Sequence, residues 1–168
     1  MTELTLERVS KEPVEIVVGS FSIKDLNITL HARSVDTSTR KLFLRFIGTS
    51  REDLLSLELT DGFVSAIELL VYEKCASIKG CNYDFDVADS GAVFVCPTNK
   101  IVEILDIDKD FSVAAYTNCI RLVLSDEEPD YTVLSGNQVV FEFGHRSQLC
   151  AVLLVNNIEQ VRRLRNEI

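Results

Sequence analysis

The feature that most constrains this chain is an apolar period of two. Phe21 and Ile23 alternate with polar neighbours, and Leu26, Ile28 and Leu30 continue on a shifted parity. Leu42, Leu44 and Phe46 repeat the pattern, as do Leu55, Leu57 and Leu59. Successive strand side chains point to opposite faces, so this period selects strands with one buried face. The parity slip near Asp25 reads as a β-bulge inside one long strand.

Turn chemistry punctuates the strands. Thr60-Asp61-Gly62 separates Leu55–Leu59 from the run Phe63–Tyr72. Asp and Gly both tolerate positive φ, so this pair predicts a hairpin. A helix starting at Ser50, with Glu52 and Asp53 in its first turn, competes for the first arm. The strand is the preferred reading there. Val64–Tyr72 is two-sided in the same way, since Ala66 and Leu70 also fit helical spacing. Ser135-Gly136-Asn137 marks a second hairpin between Tyr131–Leu134 and Gln138–Phe143.

Residues 75–91 carry Gly80, Asn82, Asp84, Asp86, Asp89 and Gly91, and read as a connection. Ala92–Cys96 is a short strand stopped by Pro97. Ile101–Ile107 and Phe111–Leu124 follow, separated by a turn at Asp108-Lys109-Asp110, and the second breaks near Thr117-Asn118. Leu149–Val155 is continuously apolar, as in a central strand covered on both faces.

The C-terminus changes period. Ile158, Val161, Leu164 and Ile168 form one helical stripe. Asn157 followed by Gln160 resembles a capping box, and Arg162, Arg163 and Arg165 complement the helix dipole. No strand–helix alternation marks a doubly wound fold. The expected fold is mainly β (α+β): an antiparallel β-sandwich or open barrel of about ten strands with one C-terminal helix. It forms a single domain over residues 1–168.

Charge narrows the function. The chain has 26 acids against 17 bases, a net charge of -9. Such a surface repels nucleic-acid phosphates and anionic membranes and attracts basic proteins. No apolar run approaches the ~18–20 residues that cross a bilayer. The N-terminus, Met1 to Lys11, is polar and charged. With five cysteines, three of them (Cys96, Cys119, Cys150) in apolar runs, it predicts a cytoplasmic protein with buried, reduced thiols.

Catalytic signatures fail on inspection. An EF-hand counted from Asp106 needs Gly at its sixth position and Glu at its twelfth, where Phe111 and Thr117 stand. Counted from Asp84, the twelfth residue is Val95. Cys75 and Cys81 lack the tight spacing of a zinc site, and the two histidines, His31 and His145, are isolated. No nucleophile elbow or glycine-rich phosphate loop occurs. The expectation is a non-enzyme without metal or cofactor.

Two acidic runs remain. Asp126, Glu127, Glu128 and Asp130 adjoin Tyr131, and Asp84, Asp86 and Asp89 interleave with Tyr83 and Phe85. Carboxylates steer a basic partner, and rings supply contact area. The expected function is therefore neutralisation of a basic protein partner through these residues. Its concrete form is an immunity protein or antitoxin that covers the active site of a nuclease-like toxin. The alternative is a structural or assembly β-domain acting through oligomerisation or docking into a larger complex.

Overall fold

The computed structural model describes residues 3–35, 40–49, 52–70, 72–98 and 103–168. In chain order the strands are β1 (Leu4–Ser10), β2 (Val14–Ser22), β3 (Asp25–Ala32), β4 (Lys41–Ile47), β5 (Leu54–Thr60), β6 (Phe63–Leu70), β7 (Ala76–Ile78) and β8 (Asp89–Ser90). They continue as β9 (Ala92–Pro97), β10 (Ile104–Asp108), β11 (Ser112–Ala115), β12 (Cys119–Val123), β13 (Tyr131–Ser135), β14 (Val139–Phe143) and β15 (Leu149–Val155). One helix, α1 (Ile158–Glu167), ends the chain.

The strands form two sheets. The larger has eight strands, in the order β1-β9-β6-β5-β4-β10, with β3 also on β6 and β2 on β3. The smaller has seven, in the order β7-β11-β12-β15-β14-β13-β8. The expected sandwich with one terminal helix is what forms, with fifteen strands among the described residues rather than about ten. Three pairs are parallel, β4 with β10, β7 with β11 and β8 with β13. Each places a strand at a sheet edge.

The parity slip near Asp25 is a chain reversal, not a bulge in one strand. β2 and β3 are antiparallel neighbours, with Ser22 opposite Asp25. No glycine marks this turn. The Ser22 hydroxyl instead accepts hydrogen bonds from the Lys24 and Asp25 amides, at 3.3 and 3.2 Å. Glu167 of α1 accepts the Ile23 amide at 2.9 Å, and the buried Tyr72 hydroxyl donates to the Ser22 carbonyl. A bulge does occur, between Val18 and Phe21. The polar N-terminus supplies edge strand β1. The preferred strand after Ser50 forms as β5, while Ser50 itself lies outside the described residues.

The alternation predicts the core of the larger sheet. Leu26, Ile28, Leu30, Leu44, Leu57 and Ile67 are buried, and they meet Ile120, Val133, Phe141 and Val152 of the smaller sheet in one cluster. Each such side chain contributes about 1.5–3 kcal/mol on burial. Val161 and Leu164 of α1 join the cluster where the helix contacts β2, β11 and β12. The helical stripe is narrower than expected: Ile158 is 51% and Ile168 37% exposed, and only Val161 and Leu164 are buried. The capping box does not form, because the Asn157 side chain donates back to the Val155 carbonyl at 2.9 Å.

Two glycines hold the architecture. Asp61 and Gly62 both take positive φ (49° and 85°) in the hairpin between β5 and β6. Gly91 (φ 144°) alone separates β8 from β9, so the chain passes there from one sheet to the other. A Cβ on Gly91 would stand 1.9 Å from the Ser10 carbonyl oxygen.

The smaller sheet is covered on both faces. Its outer face carries Cys119, Val140, Ala151, Leu153 and Val155, packed against Tyr83 and Phe85. All seven residues of β15 are buried, which is why that strand reads as continuously apolar.

Candidate functional site: an acidic groove beside a strap

The covering segment, residues 79–88, contains no long strand, so its backbone groups find other partners. At one end Lys79 donates to the Ala115 carbonyl (2.9 Å) and Thr117 to the Cys81 carbonyl (3.1 Å). The Asn118 side chain then imitates a neighbouring strand: its oxygen accepts the Tyr83 amide and its NH2 donates to the Tyr83 carbonyl, both at 2.9 Å. At the other end Ala88 donates to the Thr132 carbonyl (3.1 Å), and the Thr132 hydroxyl donates to the Asp86 carbonyl. Between these ties the segment forms a strap, with Tyr83 5.0 Å from Tyr116 and 6.4 Å from Phe85, ring to ring.

Beneath the strap lies a buried ion pair. Arg121 on β12 places Nε and Nη2 each 2.9 Å from Glu142 Oε2 on β14. The Tyr83 hydroxyl donates to Glu142 Oε1 at 2.9 Å, and the guanidinium sits 4.8 Å from the Tyr83 ring centre. Glu142 is completely buried, so each oxygen needs its partner. Burial, and then the bond to Glu142, push the Tyr83 phenol well above its ordinary range. Burial also pushes the neighbouring Cys119 thiol up to about 12, which keeps it protonated and unreactive.

A groove of about 640 Å³ opens between the strap and the loop before β13. Asp84 and Asp86 line one side and Asp130 the other, while Thr132 and Glu142 also contribute. Its lining contains no lysine or arginine. Acids from two separate loops, with Asp86 and Asp130 44 residues apart, thus meet at one groove.

The seven acids and Tyr131 sort into different positions. Asp84 and Asp86 are exposed and make no side-chain hydrogen bond among the described residues. Asp130 lies 3.1 Å from His145 Nδ1 on the open surface. Asp89 turns away from the groove. It pairs with Lys11 and accepts the Tyr131 hydroxyl at 3.0 Å, and the Lys11 bond chiefly holds its carboxyl below the usual range. Asp126 and Glu127 line a separate hollow of about 610 Å³ with Lys109 and Phe111, and Glu127 accepts the Gln148 side chain. Glu128 is exposed and lines neither.

Sequence reasoning gave Arg121, Glu142 and Thr132 no role at the site and read Asn118 only as part of a strand break. A signal for the first two exists: opposite charges stand inside two otherwise apolar strands, CIRLV and VVFEF. The thiol expectation holds for Cys119 and Cys150, which are buried. It fails for Cys96, which the strand alternation of β9 turns outward. Among the described residues no group of three or more His, Cys, Asp or Glu could hold a metal ion. No helix among them is long and apolar enough to cross a membrane. The chain matches no protein-family model and no curated protein.

Proposed function

We propose that this chain is an acidic binding protein that neutralises a basic protein partner through the strap groove. Its most concrete form is an immunity protein or antitoxin that seats a basic loop of a nuclease-like toxin and so covers the toxin's active site. The observation that carries this reading is the convergence of Asp84, Asp86 and Asp130 on a groove lined by no basic side chain. Charge of one sign steers a cationic partner, and a strap already tied by hydrogen bonds at both ends lowers the cost of ordering on docking. Phe85 and half-exposed Val87 add apolar contact beside the carboxylates.

The test is affinity capture of the tagged chain from its native cells with salt elution, repeated with Asp84, Asp86 and Asp130 each changed to Lys. A basic partner that the native chain retains, that moderate salt releases and that the triple variant loses is the expected result. Unchanged retention by a folded triple variant overturns it. The assembly alternative has its own support, because Ile104 (51% exposed) and Ile78 (46%) lie on the edge strands β10 and β7. A mass that rises with concentration in light scattering, and reverts in Ile104→Lys, would favour assembly instead.

A further inference from the structure

We propose that a second cavity, in the larger sheet, is a binding site for a small primary amide. The site arises from a fork. β6 pairs with β3 through Ala66–Leu70 but with β9 only at Phe63. Between these neighbours a bulge opposes Glu58 to Ala66 and Leu59 to Val64, leaving Ser65 as the additional residue. Such a residue can be re-aimed, and the Ser65 hydroxyl reaches Glu58 Oε1 at 3.1 Å and the Glu58 carbonyl at 3.2 Å. Thr60 Oγ1 lies 2.9 Å from the same hydroxyl, and Lys41 Nζ lies 2.8 Å from Glu58 Oε1.

A cavity of about 100 Å³ adjoins this network, lined by Thr29, Lys41, Glu58, Thr60, Ser65 and the Phe63 ring, with His31 also on its wall. Proton accounting gives its preference. Ser65 has one proton, and a carboxylate is its strongest acceptor. Thr60 must then donate to Ser65, which leaves the lone pairs of Thr60 unspent. Glu58 Oε2 and the Thr29 hydroxyl also make no hydrogen bond among the described residues. Thr60 is 3% exposed, so a guest in the cavity is its natural source of a donor.

The guest must therefore donate at one end. It must also be neutral, since Lys41 and Glu58 already balance each other. A carboxylate meets Glu58, and an ammonium must displace Lys41. A primary amide has two N–H donors for Glu58 Oε2 and Thr60, and a carbonyl that can accept from Lys41 or Thr29. Size agrees: the space equals about three waters, and acetamide is a four-heavy-atom molecule.

The experiment is an NMR titration of the full chain with acetamide, with acetate and methylammonium as comparison probes. Saturable shifts at Thr29, Thr60 and Ser65 below about 100 mM acetamide, without saturation by either ion, are expected. Thr60→Val keeps the shape but loses the acceptor and should weaken the response at least about tenfold, whereas Thr60→Ser should retain it. Absence of saturation with acetamide, as for a cavity filled only by water, overturns the proposal. So does equal saturation by acetate, or a folded Thr60→Val chain that binds unchanged.

Discussion

The two sheets each carry a cross-strand arginine–carboxylate pair on the face away from the shared core, and they use it differently. On the larger sheet Arg45 meets Asp106 at 2.6 and 2.8 Å, with both side chains about half in water (41% and 48% exposed). On the smaller sheet Arg121 meets Glu142 under the strap, at 14% and 0% exposure. The chemistry is the same and the surroundings decide its energetic weight. A solvated pair contributes little, because water already solvates both charges. A buried pair need not stabilise the fold relative to apolar residues, but once present neither partner can be removed cheaply. The candidate site lies on the face where polar groups have been committed in this way.

Four variants and one pH experiment test this contrast. Gly91→Ala strikes the corner that joins the sheets, where the added Cβ meets the Ser10 carbonyl at 1.9 Å. It should cost more than about 4 kcal/mol, read as a lowered urea midpoint or failure to fold. Glu142→Gln leaves Arg121 without its counter-charge and should cost about 3 kcal/mol, with strap amides losing exchange protection. Tyr83→Phe removes one donor to the same carboxylate and should cost about 1–2 kcal/mol in urea unfolding. Arg45→Ala should leave the urea midpoint close to that of the native chain. Equal losses for Glu142→Gln and Arg45→Ala would abolish the distinction between the faces.

The smallest effect concerns pH. Asp89 is held below the usual carboxylate range, first by Lys11. A depressed acid adds stability that is present above its unfolded value, about 4, and lost as pH falls through the lowered folded value. Lys11→Gln should therefore flatten the acid limb of the stability–pH curve. An unchanged acid limb would show that this pair, tying β8 to the loop after β1, adds nothing.

The same contrast explains what could be read from sequence. In the larger sheet one face is wet, so Leu55, Leu57 and Leu59 alternate with polar residues and announce a strand. Asp61-Gly62 is legible because its backbone demands residues that tolerate positive φ. The turn at Ile23-Lys24 demands no such residue. Contacts from Tyr72 and Glu167, far along the chain, hold it, so local sequence shows only a parity slip. At the site, both acidic runs were visible. Their meeting at the groove was not, because it depends on how the strap crosses β14. Nor could composition reveal that Asp89 is engaged by Lys11, or Glu127 by Gln148.

The parallel edge strands bear on the order in which the chain assembles. Hairpins such as β5–β6 and β13–β14 join neighbours in sequence and can form locally. The pairing of β10 with β4 joins residues such as Arg45 and Asp106, 61 positions apart, and closes that whole loop at one sheet edge. Loop closure is slow and rewards the chain only once the rest of the sheet exists. This topology predicts that β10 docks late in folding, read as late protection of the β4 and β10 amides in pulsed hydrogen exchange. Until it does, the β4 edge is open, and during that interval a second unfolded chain can pair where β10 belongs.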